Sequence, residues 1–107
     1  MNQFTAVTRH HTGSTVITAG GEMDLDSFPA LEEATSGLPR DGRTLYVEMS
    51  AVSFMDSSGL TFLLKLRLRL LEQGGRLCVT GLQAQPAHVL RLTQTYPLLV
   101  TDATAAA

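Results

Sequence analysis

The densest run of side chains able to do chemistry is Ser53-Phe54-Met55-Asp56-Ser57-Ser58-Gly59-Leu60. It follows a β-rich stretch and precedes a leucine-rich one, so it marks a strand giving way to a helix. Two chemistries suit that position. Asp and Ser are preferred helix N-caps and Gly permits a tight entry, so the run serves as a helix start. A serine at a helix N-terminus also serves as a phosphoacceptor. Free backbone N–H groups and the positive end of the helix dipole accommodate a phosphate there without unfolding the domain. Ser57 and Ser58 are both candidate acceptors on this reading.

The remaining reactive side chains point elsewhere. His10, His11 and His88 make no metal-ligand constellation, and Glu32-Glu33 reads as a solvated helix face. Cys78 is the only cysteine, which excludes an internal disulfide and a four-cysteine zinc site. Its place inside a strand suits a buried small hydrophobe. Neither serine stands in a Gly-x-Ser-x-Gly elbow, and no histidine lies near in sequence for a hydrolase triad. No glycine-rich phosphate loop with Lys and Ser/Thr occurs. The one lysine, Lys65, falls in a helical stretch, which disfavours a phosphoaspartate receiver. The expectation is no enzyme, no cofactor and no metal.

The elements that position the run follow from pattern. Phe4 to Arg9 and Thr15 to Ala19 read as strands around a His10-His11-Thr12-Gly13 turn, with Gly20-Gly21 ending the second. Asp26 or Ser27 caps a first helix with Pro29 in its first turn and an apolar face of Phe28, Leu31, Ala34 and Leu38. Gly37 is a left-handed stop, and Pro39 prevents continuation. Thr44 to Met49 is a strand. Leu64 to Leu70 alternates like a strand, yet Leu, Lys and Arg favour helix and no β-branched residue occurs between Phe62 and Gln73. Helix is expected, starting at Ser57-Ser58-Gly59, stopping at Gly74-Gly75, and burying Leu60, Leu63, Leu64, Leu68, Leu70 and Leu71. Arg76 to Thr80 is a strand, Pro86 opens a helix holding Val89, Leu90 and Leu92, and Leu98 to Thr101 is a last strand after the Tyr96-Pro97 break. The order ββαβαβαβ predicts an α/β fold whose mixed, mostly parallel sheet carries an N-terminal hairpin.

A length of 107 residues suits one domain, residues 1–107, with 102–107 a frayed tail. Hydrophobic residues make up 44% and charged residues 17%, the balance of a soluble globular chain. The net charge of −2 gives no strong positive field for nucleic acid or an anionic membrane. Residues 1–18 show no secretory signal and no apolar run reaches about 18 residues, so a cytoplasmic location is expected. With no obvious large apolar patch, a monomer is expected.

Residues 45–60, Leu-Tyr-Val-Glu-Met-Ser-Ala-Val-Ser-Phe-Met-Asp-Ser-Ser-Gly-Leu, closely resemble the signature of STAS domains, and in particular of bacterial anti-sigma factor antagonists. Gly21-Glu22-Met23-Asp24 is similar to that family's Gly-Glu-Leu-Asp motif. Gly74-Gly75-Arg76-Leu77 resembles its entry into the next strand. The likeness runs over about residues 2 to 101. Glu48 stands where Asp is more usual, Tyr96-Pro97 stands where a Thr-Gly turn is common, and the closing helix is short or absent, with Asp102 its only available cap.

The resemblance implies partner switching. The unphosphorylated antagonist binds an anti-sigma factor that is itself a serine kinase and so frees a sigma factor. The kinase phosphorylates the matching serine, Ser57, which abolishes binding, and a serine phosphatase resets the switch. Asp56, with Asp24 on the loop after the second strand, makes the patch around Ser57 acidic, and partner contact is expected at Asp24, Asp56, Ser57, Ser58 and Gly59. Phe62 and Leu66, toward the polar side of the second helix beside Lys65 and Arg69, read either as ordinary packing or as a docking patch. A second class of function is a STAS-like sensory or scaffolding module that is never phosphorylated and binds a small ligand or a larger assembly.

Overall fold

Thr, Val and Ile dominate β1 (Thr5–His11) and β2 (Ser14–Met23), which pair antiparallel around a two-residue turn, Thr12-Gly13. Gly13 takes φ +79, a left-handed conformation open to glycine at little cost. His10 and His11 therefore belong to β1 and not to the turn. The computed structural model describes residues 3–100.

β2 does not end at Gly20-Gly21. It continues to Met23, and the glycine pair absorbs register shifts against the next strand between Thr18 and Gly20 and between Gly21 and Glu22. Gly21 has φ +103, and a side chain there would meet the backbone of Phe4 at 3.1 Å. That next strand, β3 (Thr44–Met55), also outruns its expected end at Met49, because backbone pairing to β2 carries it through residues 50–53, Ser-Ala-Val-Ser. β4 (Arg76–Thr80) completes a sheet of order β1-β2-β3-β4 among the described residues, with β2-β3 and β3-β4 parallel.

Helices join the parallel strands. A 3-10 turn, Leu25–Ser27, leads into α1 (Phe28–Ser36) with Pro29 in its first turn. α2 (Ser57–Glu72) links β3 to β4, and α3 (Ala84–Leu92) follows β4. The cap before α1 is neither Asp26 nor Ser27 by side-chain bonding to that helix: Asp24 caps the 3-10 turn, and Ser27 makes no side-chain cap bond to α1. Gly37 ends α1 at φ −103, so no left-handed stop is used.

The expected last strand is absent as such. Leu98 and Leu99 lie in a one-turn helix, α4 (Tyr96–Leu99), with Pro97 in its first turn. Proline fits the start of a helical turn, where no N–H is needed, so Tyr96-Pro97 opens a helix instead of closing one. Leu99 is fully buried against the core, which holds α4 in place. Thr101, Asp102 and the tail 102–107 lie outside the described residues.

Burial alternates along the strands. Thr15, Ile17 and Ala19 of β2 and Leu45, Val47 and Met49 of β3 are buried, while Thr18, Tyr46 and Ser50 are exposed. Among the described residues, one sheet face therefore carries the helices and the other carries none. The core joins those strand residues to Leu31 of α1, Leu60, Leu63, Leu66 and Leu70 of α2, Leu90 of α3 and Leu99. The expected arc on α2 is rotated: Phe62 and Leu66 are buried at 8% and 4% exposure, while Leu68 and Leu71 are exposed. Cys78 is buried on β4, as its strand position suggests.

Candidate functional site

Two parallel strands end alike. Met23 of β2 and Met55 of β3 are register partners, and each is followed by an aspartate that caps the next helical segment. Adjacent strands lie about 4.8 Å apart, so Asp24 and Asp56 stand side by side at the carboxyl edge of the sheet. Both are half-buried.

Asp56 has extended backbone angles (φ −107, ψ −171), as an N-cap requires. Its Oδ1 accepts from the backbone N–H of Ser58 at 2.9 Å and of Gly59 at 3.2 Å. Its own N–H donates to the Met23 carbonyl at 3.3 Å, which fastens the start of α2 to the end of β2. Gly59 makes that closeness possible. A Cβ there would lie 2.7 Å from the Met23 carbonyl oxygen and 2.9 Å from Cγ of Met55.

Asp24 repeats the arrangement. Its carboxylate accepts from the N–H of Asp26 at 3.0 Å, while its own N–H donates to Ser27 Oγ at 3.0 Å. The Ser27 hydroxyl donates to the Glu22 carbonyl at 2.8 Å and is fully buried. Gln85 of α3 braces the end of β3 from the other side. Its Oε1 accepts from Met55 N–H at 2.7 Å, and its Nε2 donates to the Met55 carbonyl at 3.0 Å. Gln83 Nε2 donates to the Ser50 carbonyl at 2.8 Å.

Within this frame Ser57 is the first residue of α2 and is exposed, while Ser58 is half-buried. The Ser57 hydroxyl has no hydrogen bond among the described residues, so it is positioned by its backbone alone. The positive helix end is already partly used, because Asp56 takes the N–H groups of Ser58 and Gly59. The surroundings are acidic. Glu22, Asp24, Asp26 and Asp56 fall within residues 20–28 and 50–59, which contain no lysine or arginine. Leu25 (64% exposed) and Phe54 (40%) add apolar surface at the same edge.

The structure thus brings Asp24, Asp56, Ser57 and Ser58 to one edge. Gly59 is buried beneath them and offers packing, not surface. Phe62 and Leu66 do not form an exposed patch. Phe62 packs on Phe28 of α1, with ring centroids 5.6 Å apart and planes tilted by 54°. That contact accounts for the burial of the Phe62 ring. Sequence reasoning missed Gln83, Gln85, Leu25 and Phe54. The only signal for the glutamines was a polar pair just before a helix-opening proline. Among the described residues, no group of three or more His, Cys, Asp or Glu is arranged to hold a metal ion. No helix among them is long and apolar enough to cross a membrane.

Known proteins share this arrangement of sequence and fold. Residues 5–106 match the STAS domain. The anti-sigma-F factor antagonist RsfB of Mycobacterium tuberculosis is 33% identical over 107 aligned residues, covering 94% of this chain and 84% of that protein. The anti-sigma-B factor antagonist of Staphylococcus aureus is 31% identical over 78 residues, covering 72% of each. Among solved structures, an anti-sigma factor antagonist from Mycobacterium paratuberculosis superposes with a TM-score of 0.69 at 30% identity, covering 97% of this chain and 91% of that one. The unphosphorylated anti-sigma factor antagonist SpoIIAA superposes with a TM-score of 0.75 over 94% of this chain and 91% of that one, at 22% identity, a likeness of fold. The family match across nearly the whole chain, the identity to antagonists of that kind and the four-stranded mixed sheet agree: this chain belongs to the STAS domain family.

Proposed function

We propose that this protein is an anti-sigma factor antagonist working by partner switching. Unphosphorylated, it binds an anti-sigma factor that is also a serine kinase, and the sigma factor is released. The kinase transfers the γ-phosphoryl group of ATP to Ser57 Oγ, with loss of the hydroxyl proton, and binding ends. A serine phosphatase hydrolyses the ester and restores the hydroxyl. The names of the relatives, regulators and not enzymes, support the general role. The observation that carries the finer reading is the exposed, unbonded Ser57 hydroxyl at the sheet edge where Asp24 and Asp56 cap the two helical segments.

The switch is electrostatic. A phosphoserine adds about 1.5 to 2 negative charges. A further unit charge about 5 Å from a carboxylate costs about 1–3 kcal/mol, depending on how much water is excluded. Water is excluded when a partner covers the edge, so the penalty falls on the complex more than on the free protein. The fold is spared because Ser57 points outward from a helix start fixed by Asp56 and Gly59.

The test is incubation with the cognate kinase and Mg-ATP, followed by intact-mass and peptide measurement. Ser57→Ala is expected to block the gain of one phosphoryl group and to leave kinase binding within about twofold. Labelling that persists in Ser57→Ala assigns the site to Ser58. Ser57→Asp is expected to weaken binding about tenfold or more, since about 1.4 kcal/mol is a factor of ten. Unchanged affinity on phosphorylation overturns the mechanism.

A further inference from the structure

We infer that the cleft between α1 and α2 is a binding site for a small organic carboxylate with an apolar body. The cleft is lined by Phe28 and Glu32 of α1 and by Thr61, Phe62, Lys65, Leu66 and Arg69 of α2, and encloses about 240 Å³. Its floor is apolar. The Phe28 and Phe62 rings, tilted by 54°, and Leu66 supply its apolar lining. Its rim is cationic. Lys65 and Arg69 stand one helical turn apart, so both side chains reach the same side of α2.

Arg69 is held in position. Its Nη2 donates to the Thr35 carbonyl across the gap at 3.3 Å, and this is the one hydrogen bond its guanidinium makes among the described residues. The rest of the planar fork is available, and such forks match carboxylates in bidentate geometry. Glu32 lines the same cleft without closing an ion pair to either cation. Among the described residues the only ion pair is Arg43–Asp41, so neither Lys65 nor Arg69 is paired with Glu32. Two unpaired cations facing one acid leave a net positive rim on a chain whose net charge is −2.

An apolar notch with a few convergent polar groups is the usual form of a small-molecule site, and typical sites have about 300–1,000 Å³. The smaller size here selects a single ring or a short chain. A macromolecular segment would need a longer groove. Ser57 does not line this cleft, and the inference does not depend on the phosphorylation reading.

The experiment is an amide NMR titration of the full chain with 4-phenylbutyrate, using 4-phenyl-1-butanol as the neutral counterpart. Saturable shifts confined to α1 and to Thr61–Arg69 are expected, with a dissociation constant near about 1 mM, the range open to a ligand of about twelve heavy atoms. The alcohol is expected to bind at least about tenfold more weakly. Lys65→Gln, at an exposed position, is expected to cost about threefold to tenfold for the carboxylate and nothing for the alcohol. Thr61→Trp is expected to fill the cleft and abolish the shifts while preserving spectral dispersion. Absence of saturation, equal affinity for acid and alcohol, or shifts centred on the sheet face without helices overturns the assignment.

Discussion

Asp56 has two tasks at the residue scale. It satisfies two N–H groups at the start of α2 and it sets the charge beside Ser57. Replacing it separates them. Asp56→Asn keeps an oxygen for the cap and removes the charge, so stability is expected to stay within about 0.5 kcal/mol, because Asn and Asp cap almost equally well. Asp56→Ala is expected to cost about 1 kcal/mol in urea unfolding. If charge crowding drives release of the partner, phosphorylated Asp56→Asn retains more affinity than phosphorylated wild type. Gly59 tests packing instead. Its missing Cβ leaves room for the Met23 carbonyl, and that atom is backbone, so it cannot step aside. Gly59→Ala is expected to cost about 1–3 kcal/mol despite the better helix propensity of Ala.

At the scale of elements, Gln85 replaces a missing strand neighbour. It satisfies both backbone groups of Met55, a residue with no exposed surface. Gln85→Leu leaves those groups unpaired, and a loss of about 1–3 kcal/mol is expected in the same assay. α4 makes a sharper case. Leu99→Ala is expected to cost about 2–5 kcal/mol if the one-turn helix is part of the core, and almost nothing if it is loosely attached.

Most strand and helix identities were legible in the sequence, because β-branched residues, the Asp-Ser-Ser-Gly cap and the glycine pairs are local signals. The facing of α2 was not. Leucines at 60, 63, 64, 66, 68, 70 and 71 surround the helix, so its own pattern leaves several faces open. Phe28 on α1 and the sheet together choose the face that contains Phe62 and Leu66. The extensions of β2 and β3 were hidden for a related reason. Glycines and serines are poor strand formers alone, and only pairing with a neighbour keeps them extended. Of the site, Asp56, Ser57 and Ser58 could be read directly. That Asp24 stands beside them depends on the Met23–Met55 register, which is a tertiary fact.

Across the whole molecule, the two edges of the parallel sheet differ in charge. Acids gather at the carboxyl edge, while Arg43 and Arg76 flank the strand starts at the other. Arg43 ties that lower edge together. It donates from Nε and Nη2 to Asp41 at 2.9 and 2.7 Å, and from Nη1 to the carbonyls of His11 and Ser14 at 3.1 and 3.2 Å. The side-chain hydrogen bond from Arg43 is the main cause that lowers the Asp41 pKa from an ordinary 3.8 to about 2. A folded-state value below the unfolded one contributes stability above about pH 4, and that contribution is lost as pH falls toward 2. Asp41→Asn is expected to flatten this part of the acid-unfolding curve, because it removes a contribution that is fully present above about pH 4 and fades toward pH 2.

The lone thiol on β4 gives the molecule a built-in stopwatch. β4 is five residues long and is held by a strand on one side only among the described residues, while Cys78 on it is 7% exposed. Peeling this border away breaks fewer backbone bonds than opening the middle, so it is expected to come loose first. Trapping by excess maleimide under native conditions then clocks each excursion of the border, with no mutation and no added label site.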